Sequence, residues 1–333
     1  MRIAIIGAGF SGLSAAWHLL CLKDCEVVLF DSKGIGGGAS GVAAGLLHPY
    51  VGEEGKRSDL ATEGIAATKE LVKVAETALG KKVASHNGIL RHIQEEEKNQ
   101  LFLSHCQEFK DVTSLGEGIF CIESGLTIDC PQYLEGLWLA VAGKGAKLIL
   151  REVWELGELA GFDHIIVAAG AGVRRFPELR KLCIRVIKGQ VLHCRIPETE
   201  PTLEKSAIGK GYVAISQAPR MCYIGSTYER GVIDEIPDVA KAKSLLFPKI
   251  GLFFPSVENV EIVDCKAALR VIRSGHYFPI VERIKDHLWV FTAMGSRGLL
   301  YHAYLGKLLA EALVCELQFG LISQPDWSQN QSQ

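Results

Sequence analysis

No CxxC pair occurs among the ten cysteines of this chain, and no histidine–cysteine cluster stands at metal-ligand spacing. Neither a zinc site nor any other resident metal is therefore expected, and the thiols read as reduced. No apolar run approaches the roughly 20 residues that span a bilayer. The first residues show neither the charged nor the apolar region of a secretory signal, which with free thiols points to the cytoplasm. A net charge of -2 gives no general attraction to nucleic acid or to an anionic membrane, so contact with RNA would need a local patch. The one candidate is the stretch 174–188, with Arg174, Arg175, Arg180, Lys181, Arg185 and Lys188 against Glu178 alone. Its alternative is a solvated face that happens to be basic. No internal repeat is visible.

What remains is a chain of 333 residues, 48% hydrophobic and 22% charged, long enough for two domains that share a cleft. The polar residues 324–333 read as a disordered tail.

The most informative segment lies at the start. An apolar strand from Ile3 breaks into Gly7, Ala8, Gly9, Phe10, Ser11 and Gly12 and runs on into a helix over 13–20. Gly7 permits the tight turn, Gly9 leaves room for a pyrophosphate, and Gly12 allows close packing of helix on strand. The helix N-terminus faces the anion. A second strand, 25–30, ends in Asp31, 19 residues after Gly12, where a carboxylate accepts hydrogen bonds from an adenosine ribose. The segment 34–49 that follows is rich in small residues, where a nicotinamide-binding fold would run into a further helix and strand. Sparse side chains let such a loop lie flat against a large ring system, with its amides free for pyrophosphate and an isoalloxazine edge.

Further along, apolar spacing predicts a helix over 61–79, strands over 86–92 and 118–128, and a helix opened by Asp129-Cys130-Pro131 and stopped by Gly143 and Gly145. Strands follow at 147–150 and 162–167. The second reads as a fully buried strand and returns the chain to the nucleotide-binding sheet at Ala169 and Gly170. Residues 186–265 alternate in strand fashion and are expected to cover the cofactor. A last strand, 288–292, meets Gly295, Ser296, Arg297 and Gly298 and a helix over 299–316, whose start can stabilise negative charge on a bound ring. The expected fold is α/β: a discontinuous FAD-binding Rossmann-like domain (1–55, 130–185 and 266–323) and a mixed-sheet substrate domain (56–129 and 186–265) covering the flavin.

These motifs, with Ser32 after the acid, the Gly38-Ala39-Ser40 loop, Ala44-Gly45-Leu46, 127–131 and 165–170, resemble the D-amino-acid oxidase family of FAD-dependent oxidoreductases across nearly the whole chain. Within it, 38–41, 209–212, 225–230 and 295–298 resemble the FAD-dependent half of the bifunctional enzyme of tRNA methylaminomethyl-thiouridine biosynthesis. Glycine oxidase comes second. No methyltransferase segment is seen before Met1 or after the tail, so the expectation is the oxidative half alone.

The resemblance implies FAD, bound without a covalent link, and oxidation of a C–N bond beside a carboxylate by hydride transfer to flavin N5. Cys265, near the position of cysteine attachment in some relatives, reads as a buried free thiol. Arg270 falls where the family places its carboxylate-binding arginine, with Arg273 as the fallback, and a guanidinium fork suits a bidentate hold. Tyr212 matches tyrosines that close over substrate. His276 lies in a segment that runs along the flavin, and His48 is a weaker candidate. Substrate remains open between a small amine or amino acid and the carboxymethylaminomethyl group of a tRNA wobble uridine. A noncatalytic flavin-binding partner protein is a further alternative. Nothing in the sequence names the electron acceptor.

Overall fold

The computed structural model describes residues 1–52 and 54–319. The expected tail, 324–333, lies outside them. Five strands run parallel in the first sheet, in the order Lys147–Leu150, Glu26–Asp31 (β2), Arg2–Ile6 (β1), His164–Val167 and Leu288–Thr292, with Ile280–Lys285 antiparallel on the far edge. The chain goes to one side of β1 first, through β2 and Lys147–Leu150, and then to the other through His164–Val167. The order therefore reverses at the carboxyl end of β1, where doubly wound sheets open a crevice. Helices cover this sheet because its strands are apolar on both faces. Ile3, Ile5 and Leu29 pack beneath Phe10–Leu22 (α1) and the last helix, Gly298–Phe319, while Ala4, Val28 and Val167 face Val153, Val173 and Phe176.

The second sheet is mixed and contains nine strands. The long antiparallel pair Ile184–Arg195 and Glu261–Arg273 lies towards one edge, paired from Ile184↔Arg273 to Arg195↔Glu261 with one register shift between His193 and Cys194. Met221–Gly225 and Tyr212–Ile215 continue it on one side. Because side chains alternate along a strand, this register sorts two faces. Leu192, Val213, Ile224 and Cys265 pack with Leu246, Phe247 and Ile250 of the helix Val239–Ile250. Ile187, Gly189, Tyr212, Gly225 and Arg270 share the other.

The structure departs from the sequence reading at four points. Glu261–Arg273 runs straight through the boundary placed at 265/266 and pairs along its length in the large sheet. Residues 186–265 are not all strand: Val239–Ile250 is a helix, started by Asp238, whose carboxylate accepts the Lys241 N–H at 3.0 Å. A further helix, Glu96–Glu108, escaped the sequence reading because its apolar stripe is thin, with Phe102 and His105 alone buried. Of the strand span 118–128, Leu126–Ile128 pairs instead with Leu46–Leu47 and Ala84–Ser85 in a small third sheet.

Candidate active site

The crevice at the end of β1 is laced together by backbone and two polar side chains. Asp31 accepts the Ala8 N–H at 2.9 Å on one carboxylate oxygen and the Lys33 and Gly34 N–H groups at 2.8 and 3.0 Å on the other. Ser40 Oγ accepts the Phe10 N–H at 3.1 Å, and the Gly36 N–H reaches the Ala8 carbonyl at 3.0 Å. The first α-helical bond of α1, Leu13 N–H to Gly9 C=O, comes at 3.0 Å, so the Ser11 and Gly12 amides precede it and point out of the helix end. At Gly7, φ is +111°, and a Cβ would stand 2.3 Å from the Ala168 carbonyl oxygen. Only glycine fits this turn from β1 into α1, pressed against the end of the neighbouring strand. Ala169 and Gly170 follow Ala168 on the same side. Ser32 is exposed beside Asp31.

The small-residue loop becomes a short helix, Ala39–Val42, and then Leu46–Leu47, which pairs with Leu126–Ile128. Gly45 has φ +85° and a hypothetical Cβ only 1.8 Å from the Ile128 carbonyl oxygen. Between Gly41–Ala44 and the large sheet lies open space, lined across from the loop by Val191, His193, Tyr223 and Lys266. From the opposite quarter come Gly295–Gly298: the Gly295 N–H donates to the Val271 carbonyl at 2.8 Å, and Gly298 sits against the Phe10 ring. That tie sets the start of the last helix beside both the glycine turn and the strand that carries Arg270.

Arg270 is the centre of the sheet side. Its Nη1 donates to Ser226 Oγ at 3.2 Å and its Nη2 to the Thr227 carbonyl at 2.7 Å, while Nε is buried without a hydrogen-bond partner among the described residues. Of five N–H groups two are used, so three remain for a ligand. Gly189, directly beside it, is required for space: a Cβ there would lie 2.6 Å from Nη2. Tyr212 stands opposite Gly225, whose own Cβ would meet its hydroxyl at 2.4 Å. Burial pushes the Tyr212 phenol up to about 12 against the pull of Arg270, so it is a neutral donor at physiological pH. Tyr228, half exposed, has Arg270 5.7 Å and Arg230 5.6 Å from its ring centre.

The structure thus brings Arg270 and Tyr212 to one sheet face. Arg273 ends the same strand and pairs with Ile184. His276 lies in the turn after it, where Nδ1 accepts the Phe278 N–H at 3.0 Å. Arg297 donates to the Val51 carbonyl at 3.0 Å and lies 4.6 Å from the Tyr277 ring centre. His48 is buried, its basicity driven down to about 3 by burial first and then by the Arg91 and Arg297 charges. Cys265 is on the far face, among Leu192 and Ile224. Sequence reasoning missed Gly189, Ser226 and Thr227. The glycine inside an apolar strand was the available signal for the first, since it marks close approach of another group.

The basic stretch needs correction as well. Lys188 is buried and bound to Asp234 and the Ile236 carbonyl, and Arg175 is held by Glu152 and the Val153 carbonyl. Arg174, Arg180, Lys181 and Arg185 remain exposed. Among the described residues no group of histidine, cysteine and carboxylate side chains could hold a metal, and no helix is long and apolar enough to cross a membrane. All ten cysteines are free thiols.

A doubly wound sheet with a glycine turn at its switch point is the architecture that binds dinucleotides, and here a mixed sheet presenting arginine and tyrosine faces it. Residues 2–312 match the FAD dependent oxidoreductase (DAO) family, and the chain belongs to it. It is an enzyme, and its cofactor is FAD. It is 26% identical to the tRNA 5-methylaminomethyl-2-thiouridine biosynthesis bifunctional protein MnmC of Polaromonas naphthalenivorans, over 94% of this chain and 56% of that protein. Human D-aspartate oxidase is 25% identical over 82% of each. Glycine oxidase from Geobacillus kaustophilus superposes with a TM-score of 0.79 at 20% identity, covering 98% of this chain and 97% of its own. Iminodiacetate oxidase from Chelativorans sp. BNC1 gives the same score and identity, covering 98% of both chains. The chain spans about half the length of the bifunctional relatives it matches.

The crevice fits FAD on its own geometry. Gly7 and Gly9 leave no room for side chains, since a Cβ on Gly9 would lie 2.7 Å from Ser40 Oγ, and the amides at the start of α1 point outward. Outward-pointing donors therefore stand at a helix start with no side chain on the glycines before it, as a diphosphate requires.

Proposed function

We propose that this enzyme oxidises the C–N bond of an amine or amino acid that carries a carboxylate. The observation that carries the proposal is Arg270: a partly buried guanidinium with three N–H groups to spare, next to a neutral tyrosine, on the sheet face opposite the cofactor loop. In this reading Gly7, Ala8, Gly9, Phe10, Ser11 and Gly12 hold the pyrophosphate with Ala39 and Ser40, and Asp31 and Ser32 serve the ribose. Ala44-Gly45-Leu46, Ala169-Gly170 and Gly295-Ser296-Arg297-Gly298 frame the remainder. Bound FAD supplies the hydride acceptor.

Arg270 takes the substrate carboxylate in a bidentate hold and so fixes the carbon next to nitrogen in one orientation, the largest available contribution to such a reaction. The Tyr212 hydroxyl closes over the same carboxylate. A substrate amine that binds neutral loses hydride to give a protonated imine, which water hydrolyses, so no side chain is assigned as acid or base.

A second reading, favoured by the bifunctional relatives, is the carboxymethylaminomethyl group of a tRNA wobble uridine as substrate. It shares the carboxylate and the bond to be broken. Anaerobic reduction of the FAD-loaded protein by glycine, sarcosine, D-amino acids and undermodified tRNA separates the two. Bleaching by a small amino acid supports the first reading, and bleaching by the tRNA alone supports the second. No bleaching by any of them removes the proposal.

A further inference from the structure

Behind Arg270, on the far side of the sheet, lies a buried polar cluster that the proposed chemistry leaves unused. Gln190, Thr227 and Glu229 are 0, 3 and 7% exposed. Thr227 Oγ1 accepts the Gln190 N–H at 2.8 Å and donates to Glu229 Oε1 at 2.7 Å. Gln190 Nε2 donates to the same Glu229 oxygen at 2.8 Å, and Lys241 Nζ stands 2.6 Å from the other. The Thr227 N–H returns to the Gln190 carbonyl at 3.1 Å, and Gln190 Oε1 accepts the Asp238 N–H at 2.6 Å. Three of these links involve Thr227, whose carbonyl is the acceptor for Arg270 Nη2.

We infer that Glu229, acting through Thr227, is a positioning residue that aims the Arg270 guanidinium at the substrate carboxylate. The inference rests on the proposed role of Arg270. Buried carboxylates are costly unless paired and hydrogen-bonded. Burial pushes the Glu229 carboxyl up, yet the donors from Lys241, Thr227 and Gln190 together bring it below the usual carboxylate range. It is therefore an anion at every pH where the enzyme would work, and it attracts three donors at once. Two of them, the Thr227 hydroxyl and the Gln190 amide, fix the peptide that Arg270 grips. An arginine side chain has several rotatable bonds and loses much freedom when held. A rigid carbonyl on one Nη and a hydroxyl on the other select one orientation of its plane before any ligand arrives. Only then do the remaining N–H groups face outward together.

The test uses the FAD-loaded protein and acetate, whose binding beside the cofactor is read from the change in flavin absorbance without turnover. Thr227→Val, which removes the hydroxyl, and Glu229→Gln, which removes the charge, should each raise the acetate Kd about tenfold, the effect of losing one net hydrogen bond's worth of preorganisation. Thr227→Ser keeps the hydroxyl and should restore the wild-type value, with FAD content and melting temperature close to wild type throughout. If Thr227→Val fails to fold, Glu229→Gln decides. A lowered melting temperature with an unchanged acetate Kd would show a purely structural cluster and overturn the inference. Arg270→Ala run alongside tells the two levels apart. If it alone weakens acetate, only the positioning role falls; if it too leaves acetate unaffected, the Arg270 reading fails and the inference with it.

Discussion

Gly189 shows how one missing side chain shapes the site. Glycine in a strand interior costs stability, and here its return is the passage of the Arg270 side chain, 2.6 Å from where a Cβ would be. The atom in the way is the end of a flexible chain, so Gly189→Ala should fold and keep FAD while displacing the guanidinium. Reduction by amino acids should slow on the order of a hundredfold, since a misaimed substrate loses orientation as well as affinity. Anaerobic stopped-flow reduction checks this; a wild-type rate would show that Arg270 has slack. His48 and His302 make a second prediction at this scale. Burial, the largest cause for each, drives them down to about 3 and about 4. His302 is held by the Tyr133 hydroxyl at 2.7 Å and the Gly298 carbonyl at 3.0 Å. Both are neutral in the native state, so acid protonates the unfolded chain first. Their contribution is present above the ordinary histidine value and is lost as pH falls towards 4 and 3. Each costs up to about 1.4 kcal/mol per pH unit in that window. The melting temperature of the FAD-loaded protein should therefore drop steadily below about pH 6.5, with a shallower slope in His302→Gln. An unchanged slope in that variant would place the proton uptake elsewhere.

At the scale of elements, those whose shape follows from local spacing were legible and those fixed by partners were not. Ala61–Leu79 has the bounds its apolar periodicity predicts, and Cys130–Gly143 begins where Asp129 and Pro131 say it should, with the Asp129 carboxylate accepting the Gln132 N–H at 3.1 Å. By contrast, Val239–Ile250 carries Pro248 within it and a modest apolar face, and its helical form rests on packing against Leu192 and Ile224. The site divides likewise. Gly7, Gly9 and Asp31 are read from a contiguous motif, whereas the grip of Ser226 and Thr227 on Arg270 joins residues 44 and 43 positions apart. Arg270 itself was reached by family resemblance rather than by spacing. Gly45 belongs to this scale because it seats Leu46–Leu47 on Leu126–Ile128. Gly45→Ala would push a methyl to 1.8 Å from the Ile128 oxygen at a positive φ, a strain of several kcal/mol by the cost of such backbone outliers with the clash added. The strand should detach, and the purified variant should hold far less FAD than wild type. Wild-type flavin content would show that the loop does not frame the cofactor.

Over the whole molecule, a charge of -2 leaves little long-range pull on RNA, so the tRNA reading depends on local cations. Arg185 is exposed and lies two residues from Ile187, which pairs with Arg270. If tRNA is the substrate, Arg185→Glu with Arg174→Glu should reduce its oxidation and flatten the dependence of binding on salt, because fewer phosphate counterions are released. Oxidation of free amino acids should be untouched. Equal loss with both substrates would mean that the substitutions disturb the site itself. The central claim, that Arg270 anchors a substrate carboxylate beside FAD, is tested most directly by anaerobic flavin reduction with an amino acid and with the same amine lacking its carboxylate. Wild-type protein should favour the amino acid by on the order of a hundredfold or more, the worth of a charge-assisted bidentate contact. Arg270→Ala, still loaded with FAD, should reduce with both at similar slow rates. Retention of the full preference in Arg270→Ala would contradict the account.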